Sequence, residues 1–127
     1  MICRYPRGTC FFHAMESFVE KSLLFDFYGE LLTEHQRRIF QEIVFNDYSA
    51  AEVARDEGIS RQGVHDLMKR IEKTLEDYEN RLHMVQRFLA IRGRVRKIQE
   101  LTENPGDSEK ETLRQIRAIS SDILEEL

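Results

Sequence analysis

The sequence predicts an all-α protein built on a helix-turn-helix, and three observations carry that expectation. Apolar residues recur at three- and four-residue spacing through most of the chain, the period that gathers them on one face of a helix. Six glycines and two prolines are few breakers for 127 residues, and strand-like runs of Val, Ile and Thr are absent. Between Ser49 and Arg70, a small residue, a glycine and a set of apolar positions stand at the spacing that two crossed helices and a tight turn require.

Residues 1–14 (MICRYPRGTCFFHA) fit no periodic pattern, being interrupted by Pro6 and Gly8. They are expected to be a disordered arm, or a non-native extension upstream of Met15, and the second reading is preferred. A helix-turn-helix domain is expected over 15–82 and a helical extension or hairpin over 83–127. The first helix is expected from Ser17, capped with Glu20, to Leu32. Its face of Phe18, Leu24, Phe25, Phe27, Tyr28, Leu31 and Leu32 reads as core, or as a dimer or partner surface.

Thr33 with Gln36 caps a second helix through Phe45 that buries Ile39, Phe40, Ile43 and Val44, and Asn46-Asp47 makes a turn. Ser49 with Glu52 opens a short third helix, which Gly58 ends. Ser60 caps a long fourth helix. Its apolar series Val64, Leu67, Ile71, Leu75, Tyr78, Leu82, Val85 and Leu89 settles into a 3.5-residue repeat, the seam of a coiled coil or a helical hairpin. Gly93 is the expected kink, after which Val95, Ile98 and Leu101 continue. Asn104-Pro105-Gly106-Asp107 breaks the chain, and Ser108 with Glu111 caps a last helix burying Leu113, Ile116, Ile119, Ile123 and Leu127.

Charge and cysteine content exclude several classes. Charged residues make up 33% of the chain and the net charge is −4, which is unusual for a dedicated nucleic-acid binder. The distribution is polarised, however. Arg87, Arg92, Arg94, Arg96 and Lys97 form an acid-free basic stretch, whereas from Glu100 onward eight acids face Lys110, Arg114 and Arg117. The stretch reads either as a second basic surface or as a solvated helix face whose arginine stems cover apolar atoms. No apolar run approaches a membrane span, and Cys10 to Ala14 is too short for a signal-peptide core, so a cytoplasmic protein without membrane insertion is expected. Cys3 and Cys10 lack metal-ligand spacing and are expected to be free thiols. With no nucleophile beside a base and no phosphate-cradling loop, neither an enzyme, a metal site nor a cofactor is expected.

In the helix-turn-helix, Ala54 is the small residue at the crossing and Gly58 the turn, with Val53, Ile59, Val64 and Leu67 as the apolar lock. The alternative is an ordinary tight helical hairpin. The candidate DNA-binding residues are Ser60, Arg61, Gln62, His65, Lys69 and Arg70. Arg suits guanine and Gln suits adenine in the major groove, and a helix N-terminus with a serine suits phosphate. Asp66, which would face phosphates, and Gly63, a weak helix former, count against strong binding.

The run from Leu31 to Leu82, LLTEHQRRIFQEIVFNDYSAAEVARDEGISRQGVHDLMKRIEKTLEDYENRL, closely resembles the YlxM family of helix-turn-helix regulators of Gram-positive bacteria. With the opening SLLFDFYGELL, the resemblance extends over about Met15 to Leu101. The motif is also similar to the fourth conserved region of bacterial sigma factors, which implies a winged-less helical fold that reads a promoter element. Most members of the family carry Ala where this chain has Gly63, and they start close to the position of Met15. The resemblance further implies a link to the signal recognition particle, whose GTPase and receptor are encoded beside family members. The expected function is therefore a DNA-binding regulator tied to that targeting pathway. The alternative is an accessory protein that binds the particle's GTPase, its receptor or its RNA, through Arg87 to Lys97. A homodimer is expected in either case, through Phe18, Phe25 and Tyr28 if the last hairpin covers the long seam.

Overall fold

The computed structural model describes residues 18–127 and consists there of six α-helices with no strand. The expected extension over 1–14, Cys3, Cys10 and the Ser17 cap lie outside the described residues. The helices are α1 (Phe18–Tyr28), α2 (Glu34–Val44), α3 (Ala50–Glu57), α4 (Arg61–Leu82), α5 (Met84–Glu103) and α6 (Glu109–Glu126). A 3-10 turn, Gly29–Leu31, follows α1 and replaces the last turn of the expected first helix. The chain forms two compact units, one ending at Leu82 and the other spanning His83–Leu127.

Local chemistry sets the helix starts. Thr33 Oγ1 accepts from the Gln36 N–H at 3.2 Å and Gln36 Oε1 accepts from the Thr33 N–H at 3.1 Å, so two otherwise unmatched donors are satisfied reciprocally. Ser49 and Glu52 repeat the arrangement at 3.1 and 2.8 Å. The hydrogen bonds from Ser49 hold the exposed Glu52 carboxyl below its ordinary pKa. At Ser108 only the first half is present, its Oγ accepting from the Glu111 N–H at 3.3 Å.

In the first unit, α1 lies against α4 and buries Leu24, Tyr28, Ile71 and Leu75. Ile39, Phe40, Val53, Ala54 and Val64 complete the buried set from α2, α3 and α4. Tyr28 is 1% exposed, stacks on Tyr78 with ring centroids 6.0 Å apart, and donates its hydroxyl to Glu79 Oε1 at 2.6 Å. Phe25 stacks face to face on Phe40 at 5.1 Å and meets Phe45 edge-on. The aromatic face of α1 is thus mostly core. Tyr28 is not free to form a dimer contact and Phe25 is largely engaged, whereas Phe18, Val19 and Leu31 are exposed.

The long fourth helix is corrected. It stops at Leu82, His83 adopts the left-handed conformation at φ 54, and α5 starts afresh at Met84. Ile71, Leu75 and Tyr78 are therefore not the seam of a coiled coil; they belong to the first unit, and Leu82 is 47% exposed. The helix runs unbroken through Gly93, where a kink was expected. In the second unit, Thr112 accepts from the Gly106 N–H at 3.2 Å and fastens the connecting loop to α6. Leu113 and Leu127, expected in the core, are exposed, while Ile116, Ile119 and Ile123 are half-buried.

Candidate nucleic-acid interface

The helix-turn-helix is formed by α3, the turn at Gly58 and the first turns of α4. Gly58 has φ +69, a conformation that disfavours any residue with a Cβ, although no atom lies within 4 Å of where its Cβ would be. Conformation rather than crowding demands glycine there. The Ile59 N–H donates to the Ala54 carbonyl at 3.0 Å and the Gly58 N–H to the Arg55 carbonyl at 3.3 Å, closing the helix end. Val53, Ala54 and Val64 are buried and Leu67 is half-buried, as the lock requires. Ile59 departs from it, being 43% exposed, with Cδ1 3.5 Å from the place a Cβ on Gly63 would take.

A charged clamp absent from the sequence reading holds α3 against α2. Glu57, at the end of α3, has Oε2 2.7 Å from His35 Nε2 and accepts from Arg38 at Oε1 at 2.6 Å. The hydrogen bond with His35 and the Arg38 charge hold the Glu57 carboxyl below the ordinary carboxylate range, against the opposing effect of burial. The clamp sits one residue before Gly58, so it fixes the direction from which the chain enters the turn.

Beyond the turn, Ser60 Oγ accepts from the Gly63 N–H at 3.0 Å and caps α4. Ser60, Arg61, Gln62, His65, Lys69 and Arg70 are all exposed. At 100° per residue, Arg61, Gln62, His65 and Lys69 share one sector directed away from buried Val64 and Ile71, and Arg70 lies about 80° beyond it, past Asp66. Gln62 Nε2 donates to Asp66 Oδ1 at 3.0 Å, which steadies the amide and leaves its carbonyl and second N–H available. Arg61, Lys69 and Arg70 carry no ion pair among the described residues, and neither does Lys73, which extends the sector by a turn. Lys73 was missed because it stands beyond the motif. Glu72 is paired with Lys21 at 2.9 Å and so adds little free negative charge.

The basic stretch on α5 divides. Arg94 lies 3.1 Å from Glu126 on α6, a close ion pair of buried atoms whose N–H is not aligned as a hydrogen bond. Lys97 is 3.7 Å from Glu100. Arg87, Arg92 and Arg96 are exposed and carry no ion pair among the described residues. Among the described residues no cluster of His, Cys, Asp and Glu could hold a metal, and no helix is long and apolar enough to cross a membrane.

Comparison with known proteins places residues 15–116 in a match to the family described as "Putative helix-turn-helix protein, YlxM / p13 like". Similar proteins include a UPF0122 protein of a Thermoanaerobacter species, 41% identical over 112 residues that cover 87% of this chain and 96% of the relative. A UPF0122 protein of Caldanaerobacter subterraneus is 45% identical over 85 residues, 67% of this chain and 73% of the relative. A third, from Streptococcus gordonii, is 44% identical over 86 residues, covering 67% and 76%.

Proposed function

The chain belongs to the YlxM / p13-like helix-turn-helix family, and from that premise we propose that it is a DNA-binding regulatory protein whose α4 enters the major groove. The observation that carries the reading is the cluster of Arg61, Gln62, His65 and Lys69, exposed on the first turns of a helix that the Ser60 cap, the Gly58 turn and the Glu57 clamp hold in place. Arg61 and Gln62 are placed to read base edges, while Ser60, Lys69 and Arg70 are placed for phosphate contacts. Two-fold pairing of recognition helices as a homodimer, working in the cytoplasm, completes the proposal, with exposed Phe18 and Val19 as the contact. The link to the signal recognition particle pathway rests on the family resemblance alone.

Selection of bound duplexes from a random pool tests this reading. An enriched sequence is expected, and Arg61→Ala or Gln62→Ala should relax the preference at one base pair each, at a cost of about 1–3 kcal/mol. Absence of enrichment, with no effect of either substitution, would overturn it. A second reading is favoured by the exposed Arg87, Arg92 and Arg96, which carry no ion pair among the described residues: an accessory protein that binds the signal recognition particle's GTPase, its receptor or its RNA. Retention of purified GTPase by nuclease-treated protein, lost on replacing those arginines, would support this second reading over the first.

A further inference from the structure

The second unit presents an apolar side that its own helix seam does not use. Arg94, Ile98 and Leu101 on α5 and Thr112, Ile119, Ile123 and Glu126 on α6 are half-buried or buried and define the seam. One residue further along, about 100° around each helix, come exposed apolar side chains. Val95 follows Arg94, Leu113 follows Thr112 and Leu124 follows Ile123, and these are 42%, 67% and 73% exposed. The five residues between Glu103 and Glu109 make α5 and α6 antiparallel. In an antiparallel pair of right-handed helices, rotation in the same sense along both chains leads to the same side of the pair. Val95, Leu113 and Leu124 therefore share one side. Phe88, Ile91, Arg92, Val95, Arg96 and Gln99 form a shallow, open strip along its α5 half.

Charge follows the same geometry with opposite sense. The residues one step before the seam positions include Glu111, Asp122 and Glu125, which puts the acids of α6 on the far side. Arg92 and Arg96 border the apolar side on α5, and Lys110 and Arg117 border it on α6; none of the four carries an ion pair among the described residues. Glu103 and Glu109 lie only at the loop end.

We propose that this side of the α5–α6 hairpin docks an amphipathic helix of another protein, apolar along its centre and acidic on both flanks. A helix laid on such a face buries the apolar centre and meets basic edges on either hand. A second copy fits less well, because face-to-face pairing would set basic edges against basic edges. Nucleic acid fits less well too, since phosphates set against Val95, Leu113 and Leu124 would lose hydration without a polar partner there. The inference is independent of the DNA reading, which concerns α4.

The test uses isotopically labelled full-length protein and a synthetic helical peptide with Leu at i, i+3, i+4 and i+7 and Glu on both flanks. Saturable binding is expected, with amide shifts gathered around Val95, Leu113 and Leu124. The double variant Arg92→Glu, Arg96→Glu should bind about tenfold more weakly or worse, with unchanged helicity by circular dichroism. A peptide with Lys in place of Glu should not bind. Failure to saturate, equal binding of the Lys peptide, shifts gathered elsewhere, displacement by an unrelated nucleic-acid duplex, or a dimer interface at these same amides would each overturn the proposal. The duplex selection probes α4 separately, so either result stands without the other.

Discussion

At the scale of single residues, two side chains make sharp predictions. Glu76 is 5% exposed, and burial, the largest influence, pushes its carboxyl pKa up, against a hydrogen bond with Asn80. A raised folded pKa means that this group's contribution to stability is full below the unfolded carboxylate range, about 4.3, and is lost as pH rises through the folded value. Glu76→Gln keeps an acceptor for Asn80 without the charge. Its melting temperature should exceed the wild type's at neutral pH, by a margin that shrinks toward about pH 4; a margin independent of pH would contradict the assignment. Gly63 is the second case. A Cβ there would lie 3.3 Å from Ser60 Oγ, a tight contact. The same serine cap at Ser49 accommodates the Cβ of Glu52 at the equivalent position, so the contact belongs to the cap and the hydroxyl can yield. Gly63→Ala should therefore stabilise the protein by about 0.5–1 kcal/mol, read as a higher denaturant midpoint at unchanged slope.

Among the helices, what the sequence revealed depended on how local the cause is. The boxes at Thr33 and Ser49, the cap at Ser60 and the left-handed Gly58 are each settled within four residues, and all were legible. The break at His83 was not, because no glycine or proline marks it and the spacing from Tyr78 to Leu82 to Val85 crosses it undisturbed. Nor was the Glu57 clamp, whose partners stand 19 and 22 residues away. Leu113 and Leu127 were assigned to the core because periodicity shows that a helix has an apolar face, not how much of that face a single neighbouring helix can cover. The exposure of the candidate recognition residues was legible because the turn fixes where the next helix begins. The break yields a prediction of its own. Glycine inside a continuous helix costs about 1 kcal/mol relative to alanine, whereas at a left-handed position it relieves the penalty carried by a Cβ. His83→Gly should therefore be neutral or stabilising in urea unfolding, and His83→Ala should cost more than His83→Gly. The reverse order would indicate a continuous helix.

For the whole molecule, the question is how a chain of net charge −4 could hold a polyanion. On the proposed recognition helix, positive charge with no ion pair among the described residues comes from Arg61, Lys69, Arg70 and Lys73; Asp66, bonded to Gln62, stands against it. With Arg61 assigned to a base edge, Lys69, Arg70 and Lys73 would neutralise three phosphates per chain, a small electrostatic contribution at physiological salt. Pairing doubles it and sets two recognition helices on repeated half-sites. The two cases separate in the salt dependence of binding, because each phosphate neutralised releases its condensed counterion. The slope of log Kobs against log salt is about −0.9 per phosphate, so one chain should give about −2.7 and a pair about −5. A selected duplex should follow the steeper line, and Lys69→Ala should flatten it by about 2 in the pair but only about 1 in a single chain. A slope near the shallower value, with a single chain on each duplex by sedimentation equilibrium, would remove the dimer while leaving the recognition helix in place. A slope near zero would remove DNA as the ligand of α4.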